Sequence, residues 1–174
     1  MKSICHITSV HDRYDGRIYQ KECRSLKKKG YDVTLLVCDG KPNEDKDGVK
    51  IVSINFKNRN RLHRMLLSNR KLYLTAKEIN ADVYHLHDPE LIFLGLKLKS
   101  KNSKKVIFDS HEDVPCDILD KTWIPLVLRK PIARIYQIIE NICLRKYDGL
   151  VSVTPTLTQR LSRYNRNLVE IRNY

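Results

Sequence analysis

The sequence has 174 residues, which is room for one domain with a substantial core or for two very small ones. Hydrophobic residues make up 41% and charged residues 30%, so the chain can bury enough apolar surface to fold and is not a disordered polyelectrolyte. No apolar run reaches the roughly 18 residues of a membrane-spanning helix, and the N-terminus lacks the apolar stretch of a signal peptide, which argues against export.

The cysteines indicate a reducing compartment. They are odd in number, widely spaced and contain no C-x-x-C pair: Cys5, Cys23, Cys38, Cys116 and Cys143. This pattern favours reduced thiols, buried as small hydrophobic side chains, over a disulfide framework or a zinc site. We therefore expect a cytoplasmic protein.

Apolar runs and helical periods alternate through the first half of the chain. The predicted elements are, in order, a strand at 2–9, a helix at 18–29, strands at 31–38 and 49–54, and a helix at 61–79. The segment 39–48 is rich in Asp, Gly, Pro and Asn and is predicted to be a loop.

The alternation continues to the end of the chain. The predicted elements are a strand at 82–87, a helix at 90–99, strands at 105–109 and 148–153, a helix at 155–164 capped by Thr154, and a strand at 168–172. Pro131 suits the first position of a further helix, since its missing N–H is not needed there. The inner face of that helix is predicted to be Ile135, Ile138, Ile139 and Ile142.

Strands that alternate with helices predict a parallel sheet covered on both faces. The strands are near-continuous apolar runs, as burial on both faces demands. The predicted fold is therefore a single α/β domain with a doubly wound, mainly parallel Rossmann-like sheet.

Polar residues follow the strands at one end of this sheet. The loops after the first, fourth and fifth strands are 10–17, 87–90 and 110–113, whereas the opposite loop 101–104 holds only lysine, serine and asparagine. Ligands of open α/β sheets bind outside the carboxyl ends of the strands. This asymmetry predicts a binding site at the edge formed by the polar loops.

Asp15 and Gly16 precede the first helix and admit two interpretations. They could form only a turn and a helix cap, or Gly16 could let backbone N–H groups approach a phosphate or sugar oxygen. No G-x-G-x-x-G occurs in the sequence, which argues against a dehydrogenase.

Three histidines fall near the same edge. His85 and His87 alternate on one strand and share a face, but the sequence specifies no third ligand, so a metal site is not predicted. Instead we expect His85 in the core and His87 at the edge of the cleft. His111, flanked by carboxylates, is either a catalytic-site residue or a loop histidine stabilised by its neighbours.

Six segments resemble the N-terminal domain of family 4 retaining glycosyltransferases, which have the GT-B fold. They are residues 4–9, the loop around Gly16, and residues 26–36, 81–88, 108–112 and 147–154. Residues 169–173 are similar to the strand before that family's interdomain linker. The resemblance implies one half of a two-domain enzyme that moves a sugar from a nucleotide sugar to a glycan or lipid-linked acceptor, as in cell-surface polysaccharide synthesis.

In that family the second domain carries most of the nucleotide-sugar site. Residues 1–174 would therefore be a single acceptor-side domain, with the C-terminal nucleotide-sugar domain absent from this chain. The chain would be a truncated piece of such an enzyme or one partner of a split one.

The resemblance assigns roles residue by residue. His111 matches the catalytic histidine that contacts the transferred sugar, and Gly16 would approach the donor diphosphate. The family often has two adjacent glycines at this place, whereas here Gly16 lies between Asp15 and Arg17. The Arg17 side chain could therefore assist Gly16 by binding the diphosphate as a cation. The acceptor side would be lined by His11, Asp12, Arg13, Tyr14, His87, Asp88, Glu112 and Asp113. No cofactor or metal is implied.

The net charge of +13 is concentrated in segments 57–71 and 97–105 and around Arg129, Lys130 and Arg134. A basic helix with apolar neighbours could bind the anionic inner face of the membrane, or the charge could serve only solubility.

The sequence pI near 9.6 also raises nucleic-acid binding as a rival function. Few aromatic residues and no known nucleic-acid motif argue against that rival. A non-catalytic sugar-binding or scaffold domain is the other alternative.

Overall fold

The computed structural model describes residues 1–55, 61–99 and 104–172, without the side chains of residues 61–66. Within these ranges the strands are β1 (Ser3–Ile7), β2 (Asp32–Val37), β3 (Glu44–Lys46), β4 (Val49–Ser53), β5 (Val83–Leu86), β6 (Lys105–Ser110), β7 (Gly149–Ser152) and β8 (Leu168–Glu170). The helices are α1 (Arg24–Lys28) after a π-helical segment (Ile18–Cys23), α2 (Arg61–Ile79), α3 (Ile92–Lys99) after a 3-10 turn (Pro89–Leu91), α4 (Val114–Asp120), α5 (Leu126–Leu144) and α6 (Pro155–Leu161).

The strands form one sheet in the order β3-β4-β2-β1-β5-β6-β7-β8, and every pair except β3 with β4 is parallel. The predicted doubly wound Rossmann-like fold is therefore confirmed. The chain order reverses at β1, which has β2 on one side and β5 on the other. Such a switch point opens a crevice at the carboxyl ends of the two strands that flank it.

The prediction of a loop over residues 39–48 was wrong, because this segment contains strand β3. It pairs antiparallel with β4, in a register that joins Lys46 to Val49. The two connecting residues, Asp47 and Gly48, both have positive φ angles of 52° and 74°. Asp-Gly favours this two-residue hairpin turn, so the dipeptide was the sequence signal for β3.

The predictions for α5 were also wrong. Pro131 lies inside the helix, which begins at Leu126 rather than at the proline. Of the four residues predicted for the inner face, Ile139 packs against the core as expected, whereas Ile135, Ile138 and Ile142 are 58%, 53% and 54% exposed. Ala133, Cys143 and Leu144 face the core instead. The helix is apolar around much of its circumference, so the spacing of its apolar residues did not identify one inner face.

Among the described helices, none is both long and apolar enough to cross a membrane.

The two faces of the sheet differ in chemistry. One face carries the larger apolar core, formed with α2, α3, α5 and α6. On the other face, the half made by β2 and β4 packs apolar residues against the π-helical segment. The half made by β1, β5 and β6 instead carries buried polar side chains, among them His6, His85 and Asp109. These polar residues lie directly beneath the crevice.

Candidate active site at the switch point

The loops after β1, β5 and β6 meet at the crevice and bring three histidines together. The ring of His111 lies 5.8 Å from that of His11 and 5.7 Å from that of His87, between centroids. His11 and His111 are partly exposed, whereas His87 is only 1% exposed. The expectation that His87 lies at the edge of the cleft was therefore wrong, since its buried ring stacks against the rings of His6 and His111.

Asp88 holds the start of the loop after β1 in place. Its carboxylate accepts hydrogen bonds from the Thr8 hydroxyl at 2.9 Å and from the Ser9 backbone N–H at 2.6 Å. The His11 ring lies 3.4 Å from its second oxygen. Asp88 is only 1% exposed, so it is not itself open to a ligand in the crevice. Its contribution there is to orient His11 and the loop after β1.

His111 extends over a buried carboxylate. Its Nε2 lies 3.8 Å from Asp109 Oδ2, and its side chain is 16% exposed. Burial lowers the pKa of His111 to about 4, although Asp109 opposes the shift. The ring is therefore neutral near pH 7 and can donate one hydrogen bond and accept another.

Arg13 and Tyr14 turn away from the histidines. The buried Arg13 guanidinium makes two hydrogen bonds to Asp39, at 2.5 and 2.8 Å, and this pairing holds the pKa of the Asp39 carboxyl well below its usual range. The Tyr14 hydroxyl donates to Glu44. These two predicted acceptor residues thus fasten the loop after β1 to the β3 side of the sheet. Asp12 is exposed on the same loop.

Asp15, Gly16 and Arg17 begin the π-helical segment. The Asp15 carboxylate accepts hydrogen bonds from the backbone N–H groups of Arg17 and Ile18, both at 2.8 Å, and so stabilises the turn that leads into this segment. Gly16 is exposed, and a Cβ built there would have no atom within 4 Å. The backbone at Gly16 therefore remains open to a ligand.

The Arg17 side chain reaches beneath the crevice. Its guanidinium lies 3.0 Å from Asp109 Oδ2 and 3.1 Å from Glu22 Oε1, and it donates to the Ile171 carbonyl at 2.8 Å. Arg17 thereby links the site to the segment after β8.

Glu112 and Asp113 follow His111. Glu112 is exposed, whereas Asp113 caps α4 by accepting from the Cys116 N–H at 3.4 Å. Asp113 also lies 3.2 Å from Arg160 Nε. Helix α4 was not predicted, although Asp113 followed by Pro115 is a typical start of a helix.

Beneath the loops lies a polar cluster that the sequence did not identify as a unit. Its members are His6, Glu22, His85, His87 and Asp109. His6 pairs with His85 across β1 and β5, and their side chains share a face of the sheet with His87 and Asp109. The sequence signal that could have identified this cluster was the presence of polar residues at alternate positions of buried strands.

Burial controls the ionisation of this cluster. Burial and neighbouring histidines lower the pKa of His85 to about 3 and place that of His6 well below its usual value. Burial and the charge of Asp109 raise the pKa of Glu22 to about 8. Burial alone would raise the pKa of Asp109, but His87 and the other histidines around it lower that pKa.

Two overlapping groups of these side chains could hold a metal ion within the described part of the chain. The first is His6, Glu22, His85 and His87, and the second is His87, Asp109 and His111. In each group the ligand atoms lie within 4.8 Å of one another.

Solved structures with the same fold cover almost the whole chain. Sucrose-phosphate synthase from Thermosynechococcus elongatus has a TM-score of 0.70 at 13% identity, over 99% of this chain and 48% of that protein. A glycosyltransferase from Rickettsia africae ESF-5 has a TM-score of 0.59 at 16% identity, over 98% and 42%. The trehalose-6-phosphate structure from E. coli, bound with UDP-2-fluoro glucose, has a TM-score of 0.59 at 13% identity, over 89% and 40%.

At these identities the structural likeness establishes the fold, and the chain spans less than half the length of these three proteins. Comparison with curated proteins gives no significant match. The model of Glycosyltransferase Family 4 matches residues 16–173, which is nearly the whole sequence. The chain therefore belongs to glycosyltransferase family 4.

Proposed function

We propose that the protein containing this chain transfers a sugar from a nucleotide-sugar donor to a glycan or lipid-linked acceptor, in the synthesis of a cell-surface polysaccharide. The observation that carries the proposal is the convergence of His11, Asp88 and His111 at the switch point of a family 4 domain. A switch point is where open α/β sheets bind their ligands.

We further propose that residues 1–174 form the acceptor-side domain and that a second domain supplies most of the donor site. The small share of each similar glycosyltransferase that this chain spans supports this division. The UDP-2-fluoro glucose bound in the E. coli structure supports a nucleotide sugar as donor.

In this proposal His111 contacts the transferred sugar. Its neutral ring can hydrogen-bond a sugar hydroxyl without placing a charge in the crevice, and Asp109 beneath it would stabilise positive charge as the bond to phosphate breaks. The exposed backbone at Gly16 would contact the donor diphosphate. Arg17 would serve the donor side by holding Asp109 in position, since its guanidinium is engaged there.

The acceptor-side residues would act in two ways. Exposed or partly exposed groups would touch the acceptor directly; these are His11, Asp12 and Glu112. Buried or bonded groups would position the loops around it; these are Arg13, Tyr14, His87, Asp88 and Asp113.

The decisive experiment is a transfer assay with the full-length protein and a panel of nucleotide sugars, scored for sugar release and for transfer to lipid-linked acceptors. We expect turnover with at least one donor and a strong loss in the His111→Ala variant. Absence of turnover and of binding for every nucleotide sugar would support the scaffold alternative.

The lipid-linked acceptor is supported by an exposed apolar surface on α5. Leu128, Ile132, Ile135, Ile138 and Ile142 recur at three- and four-residue steps and are each 39% to 58% exposed. The preceding segment adds Trp123, Leu126 and Val127, which are 70%, 76% and 80% exposed. We call these eight residues the α5 apolar surface. Its contiguity is unusual for a face that meets only water.

Positive charge accompanies this surface. Lys130, Arg134 and Arg145 are exposed on or next to α5, while the acidic residue of α5, Glu140, is buried. Arg129 instead donates to the carbonyls of Ile124 and Leu119. An apolar surface among cations is complementary to an anionic bilayer, so we propose peripheral binding at the cytoplasmic face of the inner membrane. Of the basic segment 57–71, predicted to bind the membrane, residues 57–60 and the side chains of residues 61–66 lie outside the described part of the chain.

A further inference from the structure

The cluster beneath the crevice contains four side chains that point at a common centre. His6 comes from β1, Glu22 from the π-helical segment, and His85 and His87 from β5 and its end. Their side chains are 0%, 11%, 10% and 0% exposed. Three separate elements thus bring three imidazoles and one carboxylate into the interior.

The spacing of their atoms matches a tetrahedral metal site. Zinc lies about 2.0–2.1 Å from each ligand atom, which separates the ligand atoms by roughly 3.3 Å. His6 Nδ1 lies 2.9 Å from His87 Nε2 and 3.7 Å from Glu22 Oε2. Glu22 Oε2 lies 3.8 Å from both His85 Nδ1 and His87 Nε2. These separations bracket the expected value.

A hydrogen-bonded network alone leaves this centre unsatisfied. The short contact between His6 Nδ1 and His87 Nε2 accounts for those two atoms only. Glu22 Oε2 is buried and accepts no hydrogen bond from any described residue. Burying a carboxylate oxygen without a partner costs about 1–3 kcal/mol or more. A cation at the centre would satisfy this oxygen and the three ring nitrogens together.

The surroundings are those of a metal site as well. Asp109 Oδ2 lies 3.8 Å from His85 Nε2 and 3.6 Å from His87 Nδ1, so it faces the ring nitrogens that point away from the centre. Metal-binding histidines commonly direct their second nitrogen to a carboxylate, which fixes the ring. Arg17 lies against the outer oxygen of Glu22 and leaves Oε2 directed inward.

We propose that His6, Glu22, His85 and His87 bind one zinc ion. Imidazole nitrogens favour zinc over magnesium or calcium, which prefer oxygen ligands. Four protein ligands leave no open position, so the site is structural and joins β1, β5 and the π-helical segment beneath the crevice. This inference goes beyond the proposed function and does not depend on it.

The test uses the 174-residue chain purified without a metal-affinity step. We expect close to one zinc per chain by elemental analysis, nitrogen and oxygen ligands by X-ray absorption, and a lower melting temperature after chelation. Cobalt(II) added to the metal-free protein should give the visible absorption of a tetrahedral site.

Variants locate the site. Glu22→Gln and His85→Gln should each weaken zinc binding by at least about 100-fold, because loss of an outer partner alone costs 10- to 100-fold. His11→Gln is the matched control, since His11 lies outside the four ligands, and it should keep the metal. Because a variant could fail to fold, the cobalt spectrum of the unmodified chain stands as a separate test. The proposal is wrong if that chain gives no tetrahedral spectrum, or if His111→Gln loses the metal while Glu22→Gln retains it.

Discussion

The α5 apolar surface allows the strength of membrane binding to be worked out before it is measured. Burying a whole isoleucine contributes about 2 kcal/mol, and Ile135, Ile138 and Ile142 each expose about half of their surface. Inserting all three should therefore contribute roughly 3 kcal/mol, or about 100-fold in the partition coefficient. Replacing all three with serine should remove this contribution and leave the fold intact, because they do not face the core.

The assay is co-sedimentation with vesicles that contain anionic lipid, with neutral vesicles alongside. Lys130→Gln combined with Arg134→Gln should weaken binding by about 1 kcal/mol per charge, and added salt should mimic that change. Leu74→Ser is the matched control, since Leu74 is 48% exposed and belongs to α2 rather than to the α5 apolar surface, and it should leave binding unchanged.

Two results would refute this reasoning. If the unmodified chain does not bind anionic vesicles at low salt, the proposal of membrane binding is wrong. A triple serine variant that binds vesicles normally but changes the oligomeric state in analytical ultracentrifugation would assign the surface to a second copy of the chain.

Three further predictions concern the site and the core. His111→Ala in the full-length protein should lower kcat by about 100-fold, because one positioned contact to the transferred sugar is lost. The melting temperature should change little, because the ring belongs to neither apolar core. A normal kcat would show that His111 is not part of the active site. The 174-residue chain alone should transfer no sugar in the nucleotide-sugar panel, and robust turnover would overturn the two-domain proposal. Gly95→Ala should destabilise the fold by about 2 kcal/mol in denaturant unfolding, because a Cβ there would lie 2.4 Å from Leu86 Cδ1 and 2.6 Å from the Tyr147 hydroxyl. Gly16→Ala, in open space, is its control; equal stability losses in the two variants would contradict the packing argument.

The sequence determined the fold and the edge of the sheet at which the candidate site residues lie. Strands buried on both faces are predominantly apolar, and helices between them enforce a parallel sheet, so local composition was sufficient to predict the fold. The polar loops could then be placed at one edge, because every parallel strand ends on the same side. His11, Asp88 and His111 accordingly meet there.

Tertiary structure decided which polar residues face each other. Arg13 and Tyr14 lie within the polar loop after β1, yet they contact Asp39 and Glu44 at the β3 side, a pairing that no local pattern encodes. Likewise, the inner face of α5 follows from its contacts with the core, because a helix that is apolar around much of its surface has several possible inner faces.

The histidine cluster shows the same limit most clearly. His6, Glu22 and His85 lie on three different elements. Only the register of β1 with β5, together with the packing of the π-helical segment, brings their atoms within 4 Å. The sequence showed that His85 and His87 share a face, because side chains alternate along a strand. It could not supply the third and fourth partners, because strand order and register are set by packing of the whole sheet.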